Sequence, residues 1–191
     1  MLSVIVPVYN GEKVVESAIN LINSLPVEKE IIVVNDCSND RTEAILKSLT
    51  FDNFKVIHHA SRRGKAAAVR TGIDNVTGDF IVFQSIDSEF NPKHYTKLLE
   101  AMSNQAVDIV LGRSATGAAK DGVVVKLSNY VSSFFLNVLF NVRIKDWFSG
   151  CKLIRKERLL GLLHSLNSSD VEFEILTKAI RKKLAVVEVI I

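Results

Sequence analysis

Short apolar runs recur along this chain, and most of them end in polar residues. Ser3-Val4-Ile5-Val6-Pro7-Val8 runs into Tyr9-Asn10, and Glu30-Ile31-Ile32-Val33-Val34 runs into Asn35-Asp36-Cys37-Ser38-Asn39-Asp40. Similar runs at 54–58, 79–84, 107–112 and 184–191 read as four more strands. Between them, helical spacing falls at 12–24, 40–49, 64–75 and 92–104. Asp40-Arg41-Thr42-Glu43 has the form of a capping box opening the second helix, and Asn91-Pro92 the form of a start for the fourth. Strands alternating with helices predict an α/β fold with a wound, mostly parallel sheet. Ligands in such folds sit beyond the carboxyl ends of the strands, where this chain collects its polar residues.

The regular alternation changes after Arg113. Residues 115–122 are small and rich in Gly and Ala, which predicts a mobile loop. Val123 to Val142 is apolar and helical in spacing, interrupted by Lys126, Asn129 and Asn137. Asp146-Trp147-Phe148-Ser149-Gly150-Cys151-Lys152 reads as a turn carrying an acid and an aromatic pair, and two helices at 156–165 and 170–182 lead to the last strand. No repeat or linker divides the 191 residues, so one domain is expected, with 1–113 as a ligand-binding half and 114–191 completing it.

Composition narrows the function classes. Hydrophobic content of 48% and charged content of 24% describe a folded domain with a core. A net charge of +3, with the basic residues dispersed, gives no footprint for nucleic acid. Two cysteines, Cys37 and Cys151, form neither a CxxC pair nor a disulfide framework, consistent with a reducing compartment. The first residues enter a strand directly without a signal-peptide pattern, and no run of about 18 apolar residues marks a transmembrane span. A cytoplasmic location is expected, with peripheral attachment to the cytoplasmic face of a membrane as its variant.

Several clusters carry chemistry. Asp36, at the end of the second strand, can accept the N–H of a nucleobase or cap the turn that follows. Arg63-Gly64-Lys65 opens an Ala-rich helix, where backbone amides and two cations suit an anion; a solvated basic terminus is the plainer alternative. Asp87 and Glu89 are carboxylates that follow the fourth strand, and on its own Asp87 can merely cap a turn. No GxGxxG or GxxxxGK[ST] occurs, and no Gly-rich phosphate loop with a following Lys lies near residues 8–20, which argues against a sugar nucleotidyltransferase.

These segments stand in order as VPVYNGE (6–12), VVNDCSND (33–40), RRGKAAAVRTG (62–72), GDFIVFQSIDSEFNP (78–92), DWFSGCK (146–152) and VEFEILTKAIRKK (171–183). Together they resemble family 2 glycosyltransferases of the GT-A fold, in the branch of dolichyl- and polyprenyl-phosphate mannosyl- and glucosyltransferases. The resemblance implies a Rossmann-like sheet that binds a nucleotide-sugar through Pro7, Tyr9, Glu12, Asp36, Arg63 and Lys65. It implies Mg2+ or Mn2+ at Asp87 and Glu89, and Asp87 and Asp146 as catalytic acids. Lys126 and Ser128 stand where relatives often have the Arg and Ser that hold the acceptor's phosphate, and Arg113 stands one residue from a third such position. Three departures are evident. Asn35 and Cys37 replace the first Asp and the Gly of an Asp-Asp-Gly-Ser motif, and Ser85 replaces the first Asp of Asp-x-Asp. The implied reaction is an inverting hexosyl transfer from a UDP- or GDP-sugar to a lipid phosphate. A hydroxyl acceptor, with Asp146 as base, and an impaired nucleotide-sugar-binding protein are the alternatives. The apolar 123–142 stretch suits a membrane surface, the core or a homodimer interface. Ending at the last strand fits a minimal domain, a truncated chain or one that relies on a membrane protein partner.

Overall fold

The computed structural model describes all residues except 87–90, 114–122, 148, 150 and 164–169. The expected loop at 115–122, together with Asp87 and Glu89, lies outside the described residues. Seven strands form one sheet: β1 (Leu2–Val8), β2 (Lys29–Asn35), β3 (Phe54–His58), β4 (Phe80–Phe83), β5 (Ile109–Arg113), β6 (Lys152–Arg155) and β7 (Val186–Ile190). Their order is β3-β2-β1-β4-β6-β5-β7. All neighbours run parallel except β6, which is antiparallel to both β4 and β5.

The helices are α1 (Val15–Asn23), α2 (Thr42–Ser48), α3 (Lys65–Ile73), α4 (Tyr95–Met102), α5 (Val123–Phe140), α6 (Lys156–Leu163) and α7 (Val171–Arg181). A 3-10 turn at Pro92–His94 leads into α4, and the Asn91 side chain caps it by accepting from the Lys93 amide at 3.0 Å. The capping box expected at α2 does not close. Asp40 accepts from the Thr42 amide at 3.0 Å, but Glu43 turns forward to Lys47 at 2.6 Å rather than back to the helix start.

Strand periodicity sends alternate side chains to opposite faces. Ile5, Ile32, Val34, Ile81, Phe83, Leu111 and Ile154 meet α3, α6 and α7 on one face. Val4, Val6, Ile31, Val33, Val82, Val110 and Leu153 meet α1, α2 and α4 on the other. The close approach of α3 requires Gly72, where a Cβ would stand 2.4 Å from Ile5 Cγ2.

No strand is predicted at 152–155 from the sequence. β6 is four residues long, and charged residues stand at both ends, so it lacks the apolar run that marks the other strands. Its reversed direction brings Cys151 and Lys152 to the sheet end where the parallel strands finish. The strand order switches between β1 and β4, opening a crevice there.

Candidate functional site

The first two loops are zipped together at the strand ends. The Asn10 amide donates to Ser38 Oγ at 2.9 Å, the Asn39 amide to Asn10 Oδ1 at 3.0 Å, and the Gly11 amide to Thr42 Oγ1 at 2.8 Å. Glu12 accepts from the Arg41 amide at 3.1 Å, and the Glu12 amide donates to Asp40 at 3.1 Å. A Cβ on Gly11 would meet Ile86 Cδ1 at 2.4 Å, so the turn after β4 lies directly against the first loop. Pro7 is buried within β1. Tyr9 is not a core residue: its ring is partly exposed, and the Arg62 guanidinium sits 4.0 Å from the ring centroid.

Asp36 is the centre of the next layer. It is 3% exposed, and both of its oxygens are engaged. Oδ1 accepts from the Arg63 amide at 2.9 Å and faces His59 Nδ1 at 2.7 Å; Oδ2 accepts from the Gly64 amide at 2.7 Å. A carboxylate can only accept, so His59 Nδ1 carries the proton, and Nε2 faces the Thr71 hydroxyl at 2.9 Å. Burial alone would raise the Asp36 pKa. The Arg63 amide, the His59 ring and the Gly64 amide outweigh it and hold the carboxyl below its usual range. In this arrangement Asp36 pins the loop that carries Arg63, Gly64 and Lys65. Gly64 has φ 88°, a left-handed value suited to glycine, and the Lys65 chain starts α3.

On the far side of the crevice, Asp146 lies in the loop before β6. Glu188 on β7 fixes that loop, accepting from the Lys145 and Asp146 amides at 3.0 Å. Trp147 is fully buried and donates through Nε1 to Asn137 Oδ1 at 3.0 Å, while Phe140 and Phe173 pack against its ring. Ser149 is buried and donates to the Gly112 carbonyl. Arg113 ends β5, and Lys126 and Ser128 fall early in α5. Among the described residues, no group of three or more His, Cys, Asp or Glu side chains is placed to hold a metal.

The family model described as "Glycosyl transferase family 2" matches residues 3–164. The chain belongs to that family. A dolichyl-phosphate beta-glucosyltransferase of Saccharomyces cerevisiae is 28% identical over 98% of this chain and 65% of its own length. A dolichol-phosphate mannosyltransferase of Pyrococcus furiosus is 32% identical over 98% of this chain and 55% of its own length. The chain therefore spans between about half and two thirds of these curated relatives. Among solved structures, glucosyl-3-phosphoglycerate synthase from Mycobacterium tuberculosis, in complex with Mn2+, uridine-diphosphate and phosphoglyceric acid, superposes with a TM-score of 0.75 at 23% identity. That match covers 98% of this chain and 67% of the other. The fold is the GT-A arrangement expected from the motifs.

Two of the departures from the family pattern have a visible setting. Cys37 has φ 59°, a left-handed conformation that costs an L residue and that glycine adopts freely. Cys37→Gly is expected to raise stability by about 0.5–1 kcal/mol, net of the entropy that glycine adds to the unfolded chain. A thermal melt reads this as a gain of roughly 1–4 °C, and an unchanged or lower midpoint would refute it. Asn35 is buried, with Nδ2 3.2 Å from His58 Nδ1 and Oδ1 accepting from the Ser38 amide at 3.2 Å, so it stitches its own turn.

His59, Thr71, Asn137, Lys152, Glu172 and Glu188 entered no site expectation from the sequence. His59, Glu172 and Glu188 act through partners far along the chain, and a lone His or Glu gives no local sign of it. His59 directly follows the end of β3 and precedes the basic loop.

Proposed function

We propose that this domain transfers a hexose, with inversion, from a UDP- or GDP-sugar to a polyprenyl or dolichyl phosphate. The observation that carries the reading is the loop pinned by Asp36. Two backbone amides and a buried histidine fix the segment that delivers Arg63 and Lys65 to the strand ends. A diphosphate needs cations held in place, and preorganised charge is the main source of catalysis in such transfers. Pro7, Tyr9, Glu12 and Asp36 form the nucleoside side of the site, and Arg63 and Lys65 the diphosphate side.

The carboxylates of Asp87 and Glu89 are hard oxygen donors that would hold Mg2+ or Mn2+, which supplies positive charge against the leaving diphosphate. Mycobacterial glucosyl-3-phosphoglycerate synthase, which shares the fold, was crystallised with Mn2+ and uridine-diphosphate. An acceptor phosphate is already ionised near neutral pH and needs no general base, so the role of Asp146 on this reading is electrostatic. Arg113, Lys126 and Ser128 are the acceptor-phosphate residues.

The lipid acceptor has two supports. The yeast and Pyrococcus relatives are named for dolichyl and dolichol phosphate. In addition, α5 presents an exposed apolar face. Phe134 is 58%, Phe135 65%, Val138 67% and Leu139 73% exposed. Arg143, Lys145, Arg181, Lys182 and Lys183 are exposed around the C-terminal end of that helix, and a groove joins Leu139 and Phe140 to Arg143, Arg181 and Lys183. An apolar face beside a basic rim suits the peripheral surface of an anionic membrane. Among the described residues no helix is long and apolar enough to cross one.

Ser85 motivates a second reading, a nucleotide-sugar-binding domain with an impaired metal site. The test is to supply labelled UDP-glucose or GDP-mannose, with Mn2+ or Mg2+, to vesicles of anionic lipid carrying a polyprenyl phosphate. Transfer of label to the lipid supports the proposal. Metal-dependent stabilisation by a nucleotide without transfer favours the second reading; a ligand at 100 times its Kd adds about 2.7 kcal/mol. Neither effect with any donor would overturn both.

A further inference from the structure

Helix α5 has two unlike faces. Outward, Phe134, Phe135, Val138 and Leu139 are more than half exposed; inward, Ser133 is buried, and Leu136 and Phe140 pack on the core. Asn137 stands on the inward side. Asparagine is a poor helix former, and its use here lies in its side chain. Oδ1 accepts from the Ile144 amide at 2.9 Å and from Trp147 Nε1 at 3.0 Å, and Nδ2 donates to the Ile144 carbonyl at 2.8 Å. The Asn137 backbone carbonyl also accepts from the Val142 amide at 3.1 Å. One residue of α5 thus holds 142–147, the segment that contains Asp146. From the sheet, Glu188 grips the amides of Lys145 and Asp146. Asp146 is therefore bracketed by one anchor on β7 and one on an outer helix.

We propose that Asn137 couples the outer face of α5 to Asp146, so that seating the helix on an anionic lipid surface fixes the acceptor side of the crevice. Charge selects the occupant. Arg143, Arg181 and Lys183 line the groove beside Leu139 and Phe140, and none of the residues lining it is acidic. Seating removes the apolar outer face from water and restrains the helix. That area is the differential interaction a shift between two helix settings requires. The side-chain bonds of Asn137 carry the restraint to Ile144 and Trp147, on either side of Asp146. Asn137 is a positioning residue, since it acts through this segment and not on a ligand. The inference rests on the proposed place of Asp146 beside the acceptor, but the link from helix to loop is readable without any transfer.

Trp147 is the only tryptophan of the chain and is fully buried, so its emission reports on the bond from Nε1 to Asn137. The test adds vesicles of phosphatidylcholine, with or without phosphatidylglycerol and free of polyprenyl phosphate, to the intact protein and to Asn137→Leu. Vesicles with phosphatidylglycerol should bind the intact protein and shift its Trp147 emission. They should raise kcat toward a water-soluble short-chain prenyl phosphate about tenfold, an ordinary size for coupling between two sites, and leave the donor KM unchanged. Asn137→Leu should sediment with the same vesicles and show neither response. Hydrogen exchange in the intact protein reads the link without a variant: the Ile144 and Asp146 amides should slow on vesicles while those of β1 do not. An emission shift and slowed exchange without transfer from any donor keep the coupling and remove the transferase reading. An Asn137→Leu protein that responds like the intact one overturns the inference. So does a vesicle-bound protein with unchanged exchange at Ile144 and Asp146, and so does failure to bind. An equal response to phosphatidylcholine alone overturns the anionic occupant.

Discussion

Replacing Asp36 with Asn is expected to cost about 3 kcal/mol of stability and to abolish nucleotide binding under conditions where the variant remains folded. The carboxylate accepts from two backbone amides and a histidine at distances between 2.7 and 2.9 Å, in a site that is almost fully buried. An amide of the same shape turns an N–H toward donors, so at least one buried donor loses its acceptor, and charge-assisted bonds become neutral ones. For a chain of this size the loss corresponds to roughly 6–12 °C in melting midpoint. Binding fails for a separate reason: the amides of Arg63 and Gly64 lose the anchor that holds the basic loop at the strand ends.

The pH dependence provides a second check. The folded carboxyl titrates below its usual range, whereas the unfolded one titrates near the usual value of about 3.9. Between those values the unfolded state binds more protons, so stability rises with pH through that interval and its full contribution is present above it. Denaturant melts of the two proteins should therefore differ most near neutral pH and converge as the pH falls below about 4. A difference that stays constant down to pH 3 would show that Asp36 contributes by shape alone.

The second large effect concerns Asp87. Asp87→Ala is expected to lower hexosyl transfer about a thousandfold, because a metal-held diphosphate is worth several kcal/mol to the transition state. In sequence Asp87 follows Ile86, whose side chain lies against Gly11 in the loop after β1. The complementary replacement Ser85→Asp restores a carboxylate at the position where the family carries one. It should increase metal affinity and leave metal-free nucleotide binding unchanged. Isothermal titration of Mn2+ with UDP or GDP present, beside the transfer assay, separates the two. An Asp87→Ala protein that retains wild-type turnover would remove the metal from the account of this chain.

The fold was legible wherever an apolar run was long enough to declare its period. β1 and β2 are buried almost throughout, and the reading of 3–8 and 30–35 matches them within a residue or two. β6 was not legible because a strand of four residues shows neither a long apolar run nor a clear alternation, and only its place between β4 and β5 makes it a strand. Around the candidate site, residues that lie together in sequence were legible, such as Arg63-Gly64-Lys65. Partnerships across the chain were not. Nothing near Asp36 announces His59, and nothing near Asp146 announces Glu188 on β7. The pairing of Glu172 with Lys65 joins two helix starts that the sequence places more than a hundred residues apart. The nearby Glu174 pairs with Lys178 of its own helix at 2.7 Å.

The position of β6 bears on how the domain is made. On the ribosome β3, β2, β1 and β4 emerge first and can pair with one another, but the next neighbour of β4 in the sheet is Lys152–Arg155, not the β5 that emerges sooner. The open edge of β4, Phe80–Phe83, is apolar and must wait for that late strand. At roughly 5–20 residues per second the wait lasts several seconds. During that time a nascent chain carries a sticky strand with its hydrogen-bonding groups unpaired, the condition under which chaperone capture competes with aggregation. The loop bearing Asp146 and Ser149 leads directly into β6, so covering the edge of β4 and forming the far wall of the crevice are one folding event.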